Sequence, residues 1–472
     1  MRYSRRQFAT FSSTGFLFFL GAVSGLEDRD AAIVDPMPEP MITKEASITL
    51  PVHLEHHWKE PAKPTLLRQM SAFPITRADQ LNAVGSQDSV PVVFSPDSKR
   101  LVCREFQWDK KGGSARRILH VQEAHSGKDL WTRGGDFQAA AFSPTQNILA
   151  VGYAQHVHLL NADTGAVIRN LTIPEPALER RDLRVPHAEN VRPDLHSLAF
   201  SDDGASLAVI SRDVDVFFGR REPDEAYMPQ FDLFQVGTGK HLPQRRGAGE
   251  LVQRHTGGRV YRFVGFAKDG KILAFEVDQY QQIVHLVDLK TGKRLFFNAN
   301  QGLGVRTAAV SPDGRMCVWG GTKIDDYRMR HWDLVKQKMV NEHKVTRGSV
   351  NKLAFSRAGD FFISLSGDGI KMWDTATGAE LRHFSGPEQR VECMALSPDG
   401  KLLLTGGLDG TVFLWDVPTG KFRAQLQKEK GFIRSVCFSP DGTILVAGRE
   451  NAHDRGQAGS EATVWRIPCP GD

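Results

Sequence analysis

Residues 396–421 read LSPDGKLLLTGGLDGTVFLWDVPTGK. Two Asp-Gly pairs, a Trp-Asp and a Thr-Gly are set among short apolar runs, so the stretch is either an acidic metal loop or an array of hairpins. A calcium loop needs several oxygen ligands in close register, as in D-x-D-x-D-G, and none is present. Each glycine pair falls between β-type runs instead: VECMALS, KLLLTGG, TVFLWDV and FRAQL. Asp-Gly and Thr-Gly supply the positive φ of tight hairpins, and the proline before Asp399 pre-sets its turn. The stretch therefore predicts four short antiparallel strands, with its aspartates acting as punctuation.

The same grammar recurs down the chain. VVFSPDSK, AAFSPTQN, LAFSDDGA, VGFAKDGK, AAVSPDGR, LAFSRAGD, MALSPDGK and VCFSPDGT are anchored on Phe94, Phe142, Phe200, Phe266, Val310, Phe355, Leu396 and Phe438, with successive spacings of 48, 58, 66, 44, 45, 41 and 42 residues. A period of this length is the mark of a repeat architecture. Trp332-Asp333, Trp373-Asp374 and Trp415-Asp416 end the third strand of their units.

Units of this length with Trp-Asp in this position resemble the WD-repeat family of β-propellers. The resemblance covers about residues 65–467 and is strongest in units five to eight. Elsewhere the pair reads Asn161-Ala162, Gln235-Val236, Val287-Asp288 and Trp465-Arg466. The Gly-His pair of the family is missing, with Gly386-Pro387 in its place in the seventh unit, while Asp213, Asp278, Asp368 and Asp409 keep the b–c turn position. The expected fold is all-β: a β-propeller of four-stranded antiparallel blades over residues 65–468. The repeat count gives eight blades. Seven is the alternative, being the commonest number in the family, and the third unit is irregular. The eighth unit stops after its third strand, so a segment within Leu66 to Val84 is expected to supply the fourth and close the ring.

Ahead of the repeats, residues 1–24 have a basic start, an apolar run from Phe11 to Val23 and a small-residue cleavage pattern at Ala22-Val23-Ser24, which is the layout of an export signal. Ser4-Arg5-Arg6-Gln7-Phe8 resembles the twin-arginine signal of bacteria, with Arg5, Arg6 and Phe8 as its matching residues; Ala9 and Thr10 depart from it. An uncleaved membrane anchor is the alternative. Residues 25–64, rich in Pro, Glu and Asp, read as a tether. Its HLEHH cluster, His53 to His57, lacks the H-E-x-x-H order that aims two imidazoles at one zinc.

Composition narrows the function. The net charge is +5, of which Arg2, Arg5 and Arg6 contribute three, so no nucleic-acid partner is expected. Cys103, Cys317, Cys393, Cys437 and Cys469 form no C-x-x-C; four of the five lie in apolar runs as small buried hydrophobes. There is no haem attachment motif, nucleophile elbow, phosphate loop or zinc helix. Gln244-Arg245-Arg246-Gly247 lacks the preceding Leu or Phe of phosphoinositide-binding propellers. The sequence thus predicts an exported, non-catalytic module that binds a protein partner, without cofactor or metal and without membrane contact beyond the signal; its oligomeric state is left open. A cofactor- or metal-dependent propeller enzyme of the periplasm and a cytoplasmic regulatory WD-repeat protein are the alternatives.

Strand direction locates the expected binding surface. The a–b and c–d turns share one face of the ring and are nearly uniform (SPDGR, SPDGK, SPDGT; DTATG, DVPTG). Length variation falls in the b–c and d–a connections, which must emerge at the other face. Trp108, Tyr227 and Tyr327, interleaved with Arg180, Arg181, Arg220, Arg221, Arg245 and Arg246, are the candidate anchors there.

Overall fold

The computed structural model describes residues 64–71, 75–76, 89–90, 92–108, 115–135, 137–153, 156–173, 192–214, 230–242, 261–267, 272–277, 283–288, 294–298, 305–321, 327–345, 348–386, 391–428, 430–450 and 460–467, all within the compact unit His57–Asp472. The export signal residues, including Arg5, Arg6, Phe8, Ala22 and Ser24, lie outside this set. The described residues form strands and turns and no helix. Their sheets number eight, seven of four strands and one of six.

The seventh sheet shows how the repeat builds one. Val391–Leu396, Leu402–Gly407, Thr411–Asp416 and Lys421–Lys428 pair in that order, each antiparallel to the last. Leu402–Gly407 is buried throughout, because a central strand is covered on both faces, and it therefore reads as a continuous apolar run. In the a–b turn the Ser397 hydroxyl donates to Asp399 Oδ1 at 2.6 Å and accepts from the Leu402 amide at 2.9 Å, while the Lys401 amide donates to Asp399 at 3.1 Å. Ser201/Asp203, Ser311/Asp313 and Ser439/Asp441 repeat the arrangement. The Ser201 hydroxyl and the Ala205 amide hold the Asp203 carboxyl below its ordinary range. These aspartates order turns, as the hairpin reading requires.

The c–d turns are built alike, with Asp416 Oδ1 accepting from the Thr419 amide at 2.9 Å and its hydroxyl at 2.5 Å. In the second sheet Asn161 takes the same role toward Thr164, at 3.0 and 3.1 Å, and Gln235 accepts from Thr238 at 2.8 Å. The degenerate Trp-Asp pairs are therefore Leu160-Asn161 and Phe234-Gln235, one residue earlier than expected. Turn capping, which fixes the acceptor three residues before the threonine, sets this register.

Successive sheets meet through their first strands: Val93–Phe94 with Ala139–Phe142, then Arg192–Phe200, Tyr261–Ala267, Val305–Val310, Val350–Phe355, Val391–Leu396 and Phe432–Phe438. First strands thus form the inner wall and fourth strands the outer edges. Close approach is secured by a glycine late in the second strand. A Cβ at Gly152, Gly320 or Gly406 would lie 2.5, 2.3 or 2.3 Å from Leu195, Val350 or Ile433 of the next sheet.

The last sheet is completed by Thr65–Ser71, antiparallel to Ser460–Arg466 from Thr65↔Arg466 to Ser71↔Glu461. The closing strand thus sits at the front of the expected segment. Ile75–Thr76 and Ser89–Val90 instead extend the second sheet at its inner edge, where Thr76 pairs in parallel with Ala139. The seam between the eighth and first sheets buries Val92, Phe94, Leu101 and Cys103 with Cys437, Ile444, Val446 and Val464. Ser98 has φ 59° in a turn position held elsewhere by Gly204, Gly314, Gly359, Gly400 and Gly442. Its hydroxyl accepts the Asp441 amide at 3.0 Å, latching the first turn to the last.

Ser98→Ala loses the latch and keeps the left-handed backbone, so urea unfolding should show a loss of about 1 kcal/mol. Ser98→Gly loses the latch but relieves a strain of about 1 kcal/mol and should be near neutral. Equal losses in both would show that the hydroxyl, without backbone strain, accounts for the residue.

Candidate binding face

The face carrying the b–c and d–a connections is approached through the starts of the first strands. Six of these strands carry a pairing irregularity, in five of them four residues ahead of the anchor and in Tyr261–Ala267 two residues ahead. Pairing skips one residue between Leu195/Ser197, Phe263/Gly265, Val305/Thr307, Val350/Lys352, Val391/Cys393 and Ile433/Ser435. The extra residues are His196, Val264, Arg306, Asn351, Glu392 and Arg434. A bulge removes one residue from the alternation that sends side chains into the seams, and re-aims it. In the sixth to eighth sheets the bulged residues Asn351, Glu392 and Arg434 form a polar rim at the starts of the first strands.

Sheets six to eight define this rim. Asn351, Lys352 and Glu392 are half-buried and Arg434 is exposed. The Arg434 guanidinium lies over the Phe432 ring, 5.0 Å from its centre, a cation–π contact. Ser349 donates to Asn351 Oδ1 at 3.0 Å. Behind the rim, Cys393 is buried with its sulfur toward the carbonyls of Gly406 and Ile433, at 3.7 and 3.6 Å. Burial pushes its thiol up to about 12, so it stays protonated and is a packing group rather than a nucleophile. Among the described residues no group of three His, Cys, Asp or Glu is placed to hold a metal ion.

An aromatic cluster stands at the same face between the first and second sheets. Tyr153 lies 4.7 Å from Phe137 and 4.5 Å from His158, measured between ring centres. Burial raises the Tyr153 phenol and lowers the His158 imidazole from their ordinary values. Arg104 donates to the Phe137 carbonyl at 2.5 Å, and Gln138 accepts the Leu195 amide at 2.9 Å, joining the second sheet to the third. Such a combination of rigid rings and fixed charged rim groups suits the capture of a polar surface or peptide.

Of the anchors expected from sequence, Trp108 ends the strand Arg100–Trp108 at this face. Tyr327 directly precedes Arg328–Asp333; it is half-buried, packs on the apolar seam between the fifth and sixth sheets, and its carbonyl accepts the Val345 amide at 2.7 Å. Arg180, Arg181, Arg220, Arg221, Tyr227, Arg245 and Arg246 lie outside the described residues. The rim residues Lys352, Glu392 and Arg434 were not legible as a group, because a bulge leaves no trace in an apolar alternation. The repeat offers one signal, a polar residue four positions ahead of the anchor in the third, fifth, sixth, seventh and eighth units (His196, Arg306, Asn351, Glu392 and Arg434).

The repeat tryptophans hold the scaffold beneath. Trp373 donates to the Ser364 hydroxyl at 2.8 Å and Trp415 to the Thr405 hydroxyl at 2.9 Å, both in buried surroundings. Asp374 and Asp416 cap their c–d turns, and Asp333 accepts the Val335 and Lys336 amides at 2.9 and 2.8 Å. Trp332 packs 6.4 Å from Trp319. At the b–c turns Asp409 accepts the Thr411 hydroxyl at 2.5 Å, and the Asp368 amide bonds Ser366 at 3.3 Å. Gly386, which stands where the family has Gly-His, lies against the Trp415 ring; a Cβ there would sit 2.4 Å from it.

Residues 378–416 and 419–455 match the family described as "WD domain, G-beta repeat". The chain is 33% identical over 111 residues to "Protein groucho" of Drosophila melanogaster, an alignment spanning 23% of this chain and 15% of that protein. It is 32% identical over 117 residues to "Small ribosomal subunit protein RACK1y" of Oryza sativa subsp. japonica, spanning 23% of this chain and 33% of that protein. To "WD repeat-containing protein 1" of Mus musculus it is 29% identical over 136 residues, 28% of this chain and 22% of that protein. The matches thus cover a third or less of these relatives. Among solved structures, the computationally designed Ika8 protein superposes with a TM-score of 0.53 at 18% identity, covering 84% of this chain and all of that one, which shows the fold alone. These findings support WD-repeat units on an all-β, propeller-like frame.

Gly386→Ala should force the Trp415 ring aside and cost about 1–3 kcal/mol, read as a lowered midpoint of chemical unfolding. Gly237→Ala, with nothing within 4 Å of its Cβ position, should change little. A neutral Gly386→Ala would mean the ring has room to move.

Proposed function

We propose that the whole chain is an eight-bladed WD-repeat β-propeller acting, after export, as a non-catalytic scaffold that captures a protein partner on the face of the long connections. The observation that carries this reading is the contrast between the two faces. On one, serine, aspartate and glycine are consumed in ordering near-identical turns. On the other, bulged strand starts present Asn351, Glu392 and Arg434, the last over the Phe432 ring. Fold does not assign function, and the site must carry the argument. WD-repeat similarity in residues 378–455 supports a binding role, and the buried, protonated Cys393 offers no chemistry at the rim. Export rests on the basic start, apolar run and Ser4-Arg5-Arg6-Gln7-Phe8 of residues 1–24.

Two experiments test this. Proximity labelling in the producing cell, followed by capture with purified protein, should recover a partner whose binding falls at least tenfold in Lys352→Glu plus Arg434→Glu. Lys401→Glu plus Lys421→Glu on the uniform face should leave capture intact. Loss in the second pair alone would reverse the assignment of faces. Separately, replacing Arg5 and Arg6 together by Lys keeps the charge and should abolish twin-arginine export; undiminished export would refute that route.

A further inference from the structure

In six of the third strands, the residue just before a pairing irregularity with the fourth strand occupies an equivalent place, directly ahead of the pair that ends the strand. Val121, Leu159, Leu286, Met372 and Leu414 hold it in the first, second, fourth, sixth and seventh sheets. Val121, Leu159, Met372 and Leu414 are buried in the seam to the following sheet. In the fifth sheet the residue is His331. It is fully buried, with its ring edge-on to Phe362 of the sixth sheet at 5.4 Å between centres. A Cβ on Gly378, also from the sixth sheet, would lie 2.9 Å from its Nδ1. Neither ring nitrogen has a hydrogen-bond partner.

His343, on the neighbouring strand Lys338–Lys344, packs 4.2 Å from the Trp373 ring and has a buried Nε2 without a partner. Asp374 and Asp333 are the carboxylates whose charge acts on His331. Both are engaged elsewhere, Asp333 with the Val335 and Lys336 amides and Asp374 with Thr377. Lys371 and Glu380 of the sixth sheet face His343 and pair with each other at 2.8 Å. Arg328 and Arg330 bond Glu342 on the opposite face of the strand. None of these carboxylates is therefore placed to accept a hydrogen bond from a protonated His331 in the closed seam.

We propose that the seam between the fifth and sixth sheets is an acid-released joint, in which His331 takes up a proton only when the two sheets part. An aliphatic residue at this place, as in the other sheets, would seal the seam at any pH. Burial and the neighbouring His343 hold the His331 imidazole down at about 4, against 6.5 when solvated, and burial lowers His343 as well. Between these values the parted state binds a proton that the closed state does not. The closed seam is therefore fully favoured above about pH 6.5, weakens as pH falls, and loses nothing further below about pH 4. The limiting shift in the opening equilibrium is about 300-fold, and about 30-fold at pH 5.

Hydrogen exchange of the full chain at pH 7 and pH 5, corrected for intrinsic rates, tests the proposal. Peptides covering 338–344 and 361–374 should open about 20-fold more readily at pH 5 than at pH 7, while 402–416 and 432–438, across the seam between the seventh and eighth sheets, should not. His331→Leu and His331→Met, which copy Leu414 and Met372, should each abolish the selective acid response. Its survival in either variant, or its absence in the unaltered protein, overturns the proposal. Titration of the His331 Cε1–H resonance, which needs no variant, should show a midpoint near 4; a midpoint at 6 or above overturns it equally.

Discussion

Among the described residues the sheets pack face to face through shared apolar clusters, and at three of these seams the closeness of the cover is set by a single missing side chain. Gly152, Gly320 and Gly406 let Leu195, Val350 and Ile433 reach the backbone of the preceding sheet, so the apolar clusters fill seams rather than sheets. A four-stranded sheet with two apolar faces cannot stand alone in water, because its burial is completed only by the sheets on either side. The ring therefore depends on each seam, and above all on the one that joins the first sheet to the last.

Much of this was legible in the chain. The eight anchors, the Asp-Gly turns and Trp332, Trp373 and Trp415 marked strands whose order and direction the structure reproduces, because turn geometry and apolar runs are local properties. What escaped was non-local. The pair at Leu160-Asn161 was displaced by one residue because Asn can cap a turn as Asp does, and only the hydrogen bonds to Thr164 settle the register. Ser98 gave no sign that it stands in a left-handed turn, since its reason, the Asp441 amide, lies 343 residues away in sequence. The rim at Asn351, Glu392 and Arg434 exists because of bulges, which depend on pairing and not on composition. Tyr327, singled out for its exposed loop, turns part of its ring into the seam beside Met329 and Phe362.

His331 and Trp373 illustrate how a repeat can vary without losing its frame. Both sit at seam positions in adjoining sheets, yet Trp373 delivers its one N–H to Ser364, whereas His331 is left with two unsatisfied nitrogens. The first residue strengthens the frame by closing a hydrogen bond in a buried place. The second accepts a cost of about 1–3 kcal/mol for each unpaired polar atom, which the surrounding Phe355, Phe362 and Met329 packing must offset.

The pairing of Thr65–Ser71 with Ser460–Arg466 also imposes an order in time. During synthesis the first strand of the ring domain leaves the ribosome long before its partner has been made, and it must wait unpaired while the intervening sheets assemble one against the next. Closing so long a loop is entropically unfavourable until those sheets hold the ends near each other. The ring is therefore the product of the last folding step, and up to that moment the outer edge of residues 460–466 and the backbone of residues 65–71 are open to any other strand that finds them.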